Sequence, residues 1–223
     1  TSGSYLLLAS LDISRRNLAL RGEESFAKVM DMAEYARREI NEIGGYYAYG
    51  KELVNGTSVY DYDVTKLSVH TLGLGLAGIE VYDLLRDEYD IQIEFGDVSN
   101  ILAYISIGDR LQDIERLVGA LADIARIYKK DSTGMLSGEF ISPIVARSPQ
   151  EAFYSAKESL PVEKTEGRIS GEFVMCYPPG IPILAPGEMI TDEIIQYILY
   201  VKEKGCSMQG TEDKSVNKLK VLV

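Results

Sequence analysis

KLSVHTLGLGLAGIEVYDLLRDEYDIQIEFGDVSNILAYISI, residues 66–107, holds the rhythm that decides the fold. Residues 66–72 alternate apolar and polar side chains with the two-residue period of a half-buried strand, and 79–89 switch to the period of an amphipathic helix. Two short β-rich runs follow at 91–95 and 101–107, and 111–128 reads as a long amphipathic helix. The order β-α-β-β-α belongs to an α+β domain of the split βαβ type. Only a few residues separate the second and third strands, so these two should pair antiparallel.

Upstream, the first forty residues read as two helices. Ser2 and Ser4 are available as N-caps, and Leu7, Leu8, Leu11, Leu18 and Leu20 supply apolar positions before Arg21-Gly22 closes the first. The second starts near Glu23, carries Phe26, Val29, Met30, Ala33, Ala36, Ile40 and Ile43 at helical spacing, and stops at Gly44-Gly45. Between residues 46 and 63 the pattern dissolves into a Tyr/Gly/Asn/Ser loop, which sets a domain boundary after residue 62. Downstream, Ser148-Pro149 starts a short helix to Ala156, 168–177 and 181–184 read as extended, Thr191 caps a helix to Lys204, and 218–223 form a last strand.

Composition removes several function classes. With 23 Lys+Arg against 34 Asp+Glu the net charge is −11, which argues against a nucleic-acid surface, because phosphate binding needs clustered cations. At 46% hydrophobic and 26% charged residues the chain can build a packed core. No apolar run is long enough for a bilayer and no signal-peptide order opens the chain, so no membrane partner and a cytoplasmic location are expected. A single histidine, His70, and two cysteines, Cys176 and Cys206, leave nothing from which to assemble a metal site. Both cysteines are expected to be reduced and buried rather than joined. The chain begins with Thr1 rather than Met, as a piece of something longer would.

Four features compete as sites. Gly73-Leu74-Gly75-Leu76-Ala77-Gly78 is a GxGxxG after a strand and before a helix, with Glu94 near the offset of a ribose-binding acid, so a nicotinamide-dependent enzyme is one reading. The other is a tight strand-to-helix turn with close packing, which the antiparallel third strand favours. His70 is either a general base or a satisfied or solvent-facing strand histidine. Asp61 and Asp63 are either an acid/base couple or turn acids. Tyr177-Pro178-Pro179-Gly180-Ile181-Pro182, with Pro186-Gly187-Glu188 close behind, is a stiff connection outside any ladder, either a hinge or a place for positioned site residues.

A longer pattern surrounds that rigid segment. Gly167-Arg168-Ile169-Ser170-Gly171-Glu172, leading into Tyr177-Pro178-Pro179-Gly180-Ile181-Pro182-Ile183-Leu184 and Pro186-Gly187-Glu188-Met189-Ile190-Thr191, resembles the C-terminal region of the pyridoxal-phosphate-dependent ornithine/lysine/arginine decarboxylases. Thr1-Ser2-Gly3-Ser4-Tyr5, Asp63-Val64-Thr65-Lys66, Gly108-Asp109, Ser148-Pro149-Gln150-Glu151-Ala152-Phe153 and the closing Gly205, Gly210 and Asp213 fall in the family's order. The resemblance covers essentially the whole chain and is nearest to the short bacterial arginine decarboxylase type.

The resemblance implies an α/β and α+β chain. Residues 1–62 would be the C-terminal helices of an aspartate-aminotransferase-type (fold type I) large domain, and 63–223 a small α+β domain with a largely antiparallel sheet. It implies a pyridoxal 5'-phosphate enzyme that decarboxylates a basic amino acid, arginine to agmatine in polyamine biosynthesis, as a homodimer or higher oligomer. In the family the Schiff-base lysine follows a histidine in a Ser-x-His-Lys motif, whereas His70 is followed by Thr71, so no catalytic residue is expected in this chain and the fragment alone should be inactive. Thr1 and Ser2 are implied to reach the phosphate of the partner subunit's cofactor, and Glu172 and Tyr177 to contact substrate. For Glu172 the competing reading is an ion pair with Arg168 that holds the strand. A second class of function is a non-catalytic paralogue or standalone α+β binding module.

Overall fold

One helix, α1 (Tyr5–Ile43), replaces the two expected at the N-terminus. Gly22 does not end it: a single mid-helix glycine costs about 1 kcal/mol relative to alanine, and strong helix formers flank it. Side-chain pairs Asp12–Arg15 and Glu24–Lys28 support the exposed turns. The C-terminal half of α1 buries Val29, Ala33, Ala36 and Ile40, and the helix stops where Gly44 and Gly45 adopt positive φ. Its N-terminal half leaves apolar side chains in the open, from Tyr5 at 89% exposure to Leu20 at 72%. The computed structural model describes residues 2–132 and 141–223. Among them, no helix is long and apolar enough to cross a membrane.

The rhythm of 66–107 becomes β2 (Lys66–His70), α2 (Gly78–Tyr89), β3 (Phe95–Gly96) and β4 (Asn100–Tyr104), followed by α3 (Leu111–Ile127). With β1 (Tyr47–Ala48), a strand inside the segment read as loop, they form a sheet of order β1-β2-β4-β3. Both β2 and β3 run antiparallel to β4, which lies between them, so α2 is the crossover of a split βαβ unit, as its element order implied. β3 is shorter than the run read at 91–95, although the Glu94 N–H still donates to the Leu102 carbonyl at 3.0 Å. Leu67, Val69, Ile101 and Ala103 face a core completed by α1, by Val81 and Leu85 of α2, and by Ile114, Leu121 and Ile124 of α3.

Arg37 anchors the irregular segment after α1. Its guanidinium is buried, donates to the Tyr49 carbonyl at 2.5 Å and the Val64 carbonyl at 3.0 Å, and meets the Glu34 carboxylate at 3.2 Å. The two ends of residues 49–64 are thereby tied to one helical position.

The rest of the chain builds a second core. α4 (Pro149–Tyr154) starts at Ser148 with reciprocal bonds to Glu151, as the Ser-Pro start predicts. β5 (Lys157–Pro161) pairs antiparallel with β9 (Lys218–Leu222). β6 (Val174–Tyr177) lies between β7 (Ile181–Leu184) and β8 (Ser207–Gln209), also antiparallel. Over them packs α5 (Asp192–Glu203), capped by the Thr191 hydroxyl, burying Ile194 and Ile198 against Val174, Leu184, Leu219 and Val221. The extended stretch 168–177 is ladder only from Val174; before it, Ile169 and Ser170 make isolated bridges to Met189 and Val221. Val98, Cys176, Val201 and Cys206 join the two cores.

Candidate functional site

The rigid segment lies at that junction. Leaving β6, the chain makes a turn with Gly180 at φ 90° and returns as β7; the Tyr177-Pro178 and Pro178-Pro179 bonds are cis. Facing the turn is the loop between β3 and β4, which the Asp97 carboxylate shapes by accepting the N–H groups of Ser99 at 2.7 Å and Asn100 at 2.6 Å. Between them opens a cavity of about 380 Å³ walled by Asp97, Asn100, Cys176, Pro178, Pro182 and Tyr197. This is the size and mixture of apolar wall and few polar groups that small-molecule sites use. Burial pushes the Tyr197 phenol up to about 12, so it stays protonated and able to donate.

His70 belongs to the same neighbourhood. Its Nδ1 stands 3.3 Å from the Asn100 Oδ1, which also accepts the Tyr49 hydroxyl at 3.2 Å, so the satisfied strand histidine is the arrangement found. Asp61 and Asp63 are turn acids: Asp61 accepts the Tyr62 N–H, and Asp63 accepts both the N–H and hydroxyl of Thr65, the latter holding Asp63 below the usual carboxylate range.

The glycine run serves packing. Gly75 takes a left-handed φ of 70°, and a side chain on Gly78 would run into the Asn100 carbonyl. At the start of α2 the Ile79 N–H already donates to the Asp97 carbonyl at 2.8 Å, and the Ala77 N–H to the Glu80 carboxylate at 2.8 Å. A pyrophosphate would need those donors and that space. The nicotinamide reading of Gly73 to Gly78 is therefore corrected to a tight, closely packed turn.

Of the residues implied as ligands, Thr1 lies outside the described residues and Ser2 is exposed at the start of the chain. Tyr177 ends β6 opposite Ser207 and is 51% exposed. Glu172 is half-buried: one oxygen accepts the Lys220 N–H and the other the Glu212 N–H, each at 2.8 Å. Burial raises its pKa, partly offset by the Lys220 N–H. Arg168 does not pair with it; its guanidinium reaches Glu158 and the Leu222 carbonyl, both at 2.7 Å. No hydrogen bond among the described residues links Ser2, Tyr177 and Glu172. No local pattern marks Asp97, Asn100 and Tyr197 as cavity walls, since they converge only through the packing of the two cores.

The walls of the junction cavity do not fit a pyridoxal phosphate. The junction cavity has no lysine amine in its walls and no arginine or lysine for a phosphate. Lys66 lies over the Tyr104 ring, Lys130 bonds Glu80, and Lys202 bonds Asn217, so these amines are engaged elsewhere.

Comparison with known proteins fits this architecture. Residues 137–214 match the model of the Orn/Lys/Arg decarboxylase C-terminal domain. An arginine decarboxylase of Bacillus subtilis is 40% identical over the whole chain, and one of Halalkalibacterium halodurans 41% identical. In each case the chain spans 46% of the relative's length. Among solved structures, the constitutive lysine decarboxylase of E. coli superposes with a TM-score of 0.68 at 18% identity, covering 100% of this chain and 44% of that one. The Francisella novicida lysine decarboxylase gives 0.63 at 19% identity, over 91% of this chain and 40% of that one. With the split βαβ unit, the second antiparallel core and the Tyr-Pro-Pro-Gly turn between them, this chain is similar along its whole length to arginine decarboxylases and carries a match to the Orn/Lys/Arg decarboxylase C-terminal domain.

Proposed function

We propose that the chain is the C-terminal portion of a pyridoxal-phosphate-dependent decarboxylase that converts arginine to agmatine. The observation that carries this reading is the reach of the similarity: arginine decarboxylases align over 100% of the chain at 40% identity, whereas the constitutive lysine decarboxylase of E. coli aligns over 46% of it at 30%. The electron-accepting chemistry is assigned to the cofactor. Isolated, these 223 residues should release no carbon dioxide from arginine.

In this reading residues 1–62 close an aspartate-aminotransferase-type large domain, 63–223 form the small domain, and the parent is a cytoplasmic homodimer or larger assembly. The bare apolar positions along the first half of α1 support packing of that half against further protein. Thr1 and Ser2 would then donate hydrogen bonds to the phosphate bound by the neighbouring subunit.

Glu172 is the acid we assign to the substrate guanidinium, with Tyr177 lining its approach. Each of its oxygens has one lone pair taken by a backbone N–H and one left, which suits a planar cation bringing two donors. In the full-length enzyme Glu172→Gln should lower kcat/KM for arginine about 100-fold, the equivalent of a charge-assisted pair worth about 3 kcal/mol, with bound cofactor unchanged. Because burial raises the Glu172 pKa, wild-type arginine binding should weaken on acidification at a higher pH than an ordinary carboxylate would cause. Normal kinetics with a lowered Tm would leave Glu172 as a tie between strands only.

A further inference from the structure

Cys176 and Cys206 stand about thirty positions apart in the chain, yet both enter the small cluster that joins the two cores. Cys176 faces Met208 in the β6–β8 ladder, and Cys206 comes two positions before that methionine, at the bend between α5 and β8. The two thiols are free, each 8% exposed, and share one small buried cluster with Val98 and Val201. Each also borders a different hollow: Cys176 walls the junction cavity, and Cys206 lines an open depression with Lys202 and Lys214. Small solutes can therefore reach the pair from either side.

We propose that Cys176 and Cys206 are an oxidation site, converted by a hydroperoxide to an intramolecular disulfide that pins the Tyr177-Pro178-Pro179-Gly180 turn to the start of β8. Cys176 walls the junction cavity, and the neighbouring Cys206 thiol holds it below an ordinary thiol while Cys176 and burial hold Cys206 up, so Cys176 is the attacking sulfur. Asp97 and Tyr197 wall the same cavity as Cys176, and the Asp97 charge offsets part of the lowering at Cys176. In the first step the Cys176 sulfur attacks hydrogen peroxide, the O–O bond breaks, and water leaves with Cys176 as the sulfenic acid. In the second, the Cys206 sulfur attacks that sulfur, the S–O bond breaks, a second water leaves and the S–S bond forms. Two thiols lose two electrons and two protons, and one peroxide becomes two waters.

The site is tested on the folded full-length protein, treated with hydrogen peroxide, blocked with an alkylating reagent and digested without reductant. Trypsin cuts at Lys202 and Lys204, between the two cysteines, so a disulfide appears as a joined pair of peptides, lighter than their sum by two hydrogen atoms. The expected result is this joined pair as the main product, abolished by dithiothreitol. In Cys206→Ser protein, Cys176 should instead be trapped as sulfenic acid by dimedone. Recovery of Cys176 and Cys206 on separate peptides, alkylated or carried to sulfinic and sulfonic acids, would overturn the proposal, and needs no variant to fold.

Discussion

Gly78→Ala is expected to destabilise the protein by about 4 kcal/mol or more, enough to leave much of it unfolded. The added Cβ would overlap the Asn100 carbonyl and lie 2.7 Å from the Asp97 oxygen, both of them backbone atoms that no rotamer change can remove. Relief requires α2 to lift from β4, which would expose Val81 and Leu85. Gly119 in α3 is the matched control. No atom lies within 4 Å of a Cβ there, so Gly119→Ala should raise stability by about 0.5–1 kcal/mol through helix propensity alone. Guanidinium unfolding curves of both variants check the pair. Equal, small effects would mean that the glycine run is not a packing device.

Arg37→Ala should cost about 3 kcal/mol. The substitution removes charge-assisted bonds to the Tyr49 and Val64 carbonyls and leaves both acceptors without this partner, while Glu34, mostly in water, loses little. Arg37→Lys should recover only part of the loss, because a single ammonium cannot match a fork aimed at two carbonyls 27 and 12 residues away in the chain. Faster amide exchange across residues 49–64 should accompany the fall in denaturation midpoint. A loss below about 1 kcal/mol would show that the segment is held by other contacts.

How much of this was legible in the sequence depended on the range of the forces involved. The alternation through Leu67 and Val69 survives in the structure because one face of β2 is buried, and a period of two is the local imprint of that burial. For the same reason the helix of 111–127 could be read directly from Ile114, Leu117, Leu121 and Ile124. Gly22 misled because a glycine signals a helix end only where the chain must take positive φ, as it does at Gly44 and Gly45. β5 was missed because Lys157 and Glu158 show no alternation; its partner, β9, supplies the order.

The sites divided along the same line. The Tyr-Pro-Pro-Gly turn announced itself through proline's local constraints, and the structure finds it bordering a cavity. What completes that cavity, and what occupies Glu172, are groups brought in from far along the chain. The N–H groups of Glu212 and Lys220 are 40 and 48 residues from Glu172, and no periodicity records them. The two cysteines are buried, as expected, but their place in one cluster comes only from the docking of β6 against the bend after α5.

The most direct measurement of the central claim is carbon dioxide release from arginine, lysine and ornithine by the full-length protein supplied with pyridoxal phosphate, with the amine product identified. Arginine is expected to be the preferred substrate, giving agmatine with a kcat/KM at least about 100-fold above that for lysine, because a carboxylate that meets two guanidinium donors loses one of them with an ammonium. Turnover of lysine or ornithine at a rate equal to or above that of arginine, or no decarboxylation by a protein shown to hold the cofactor, would contradict the account.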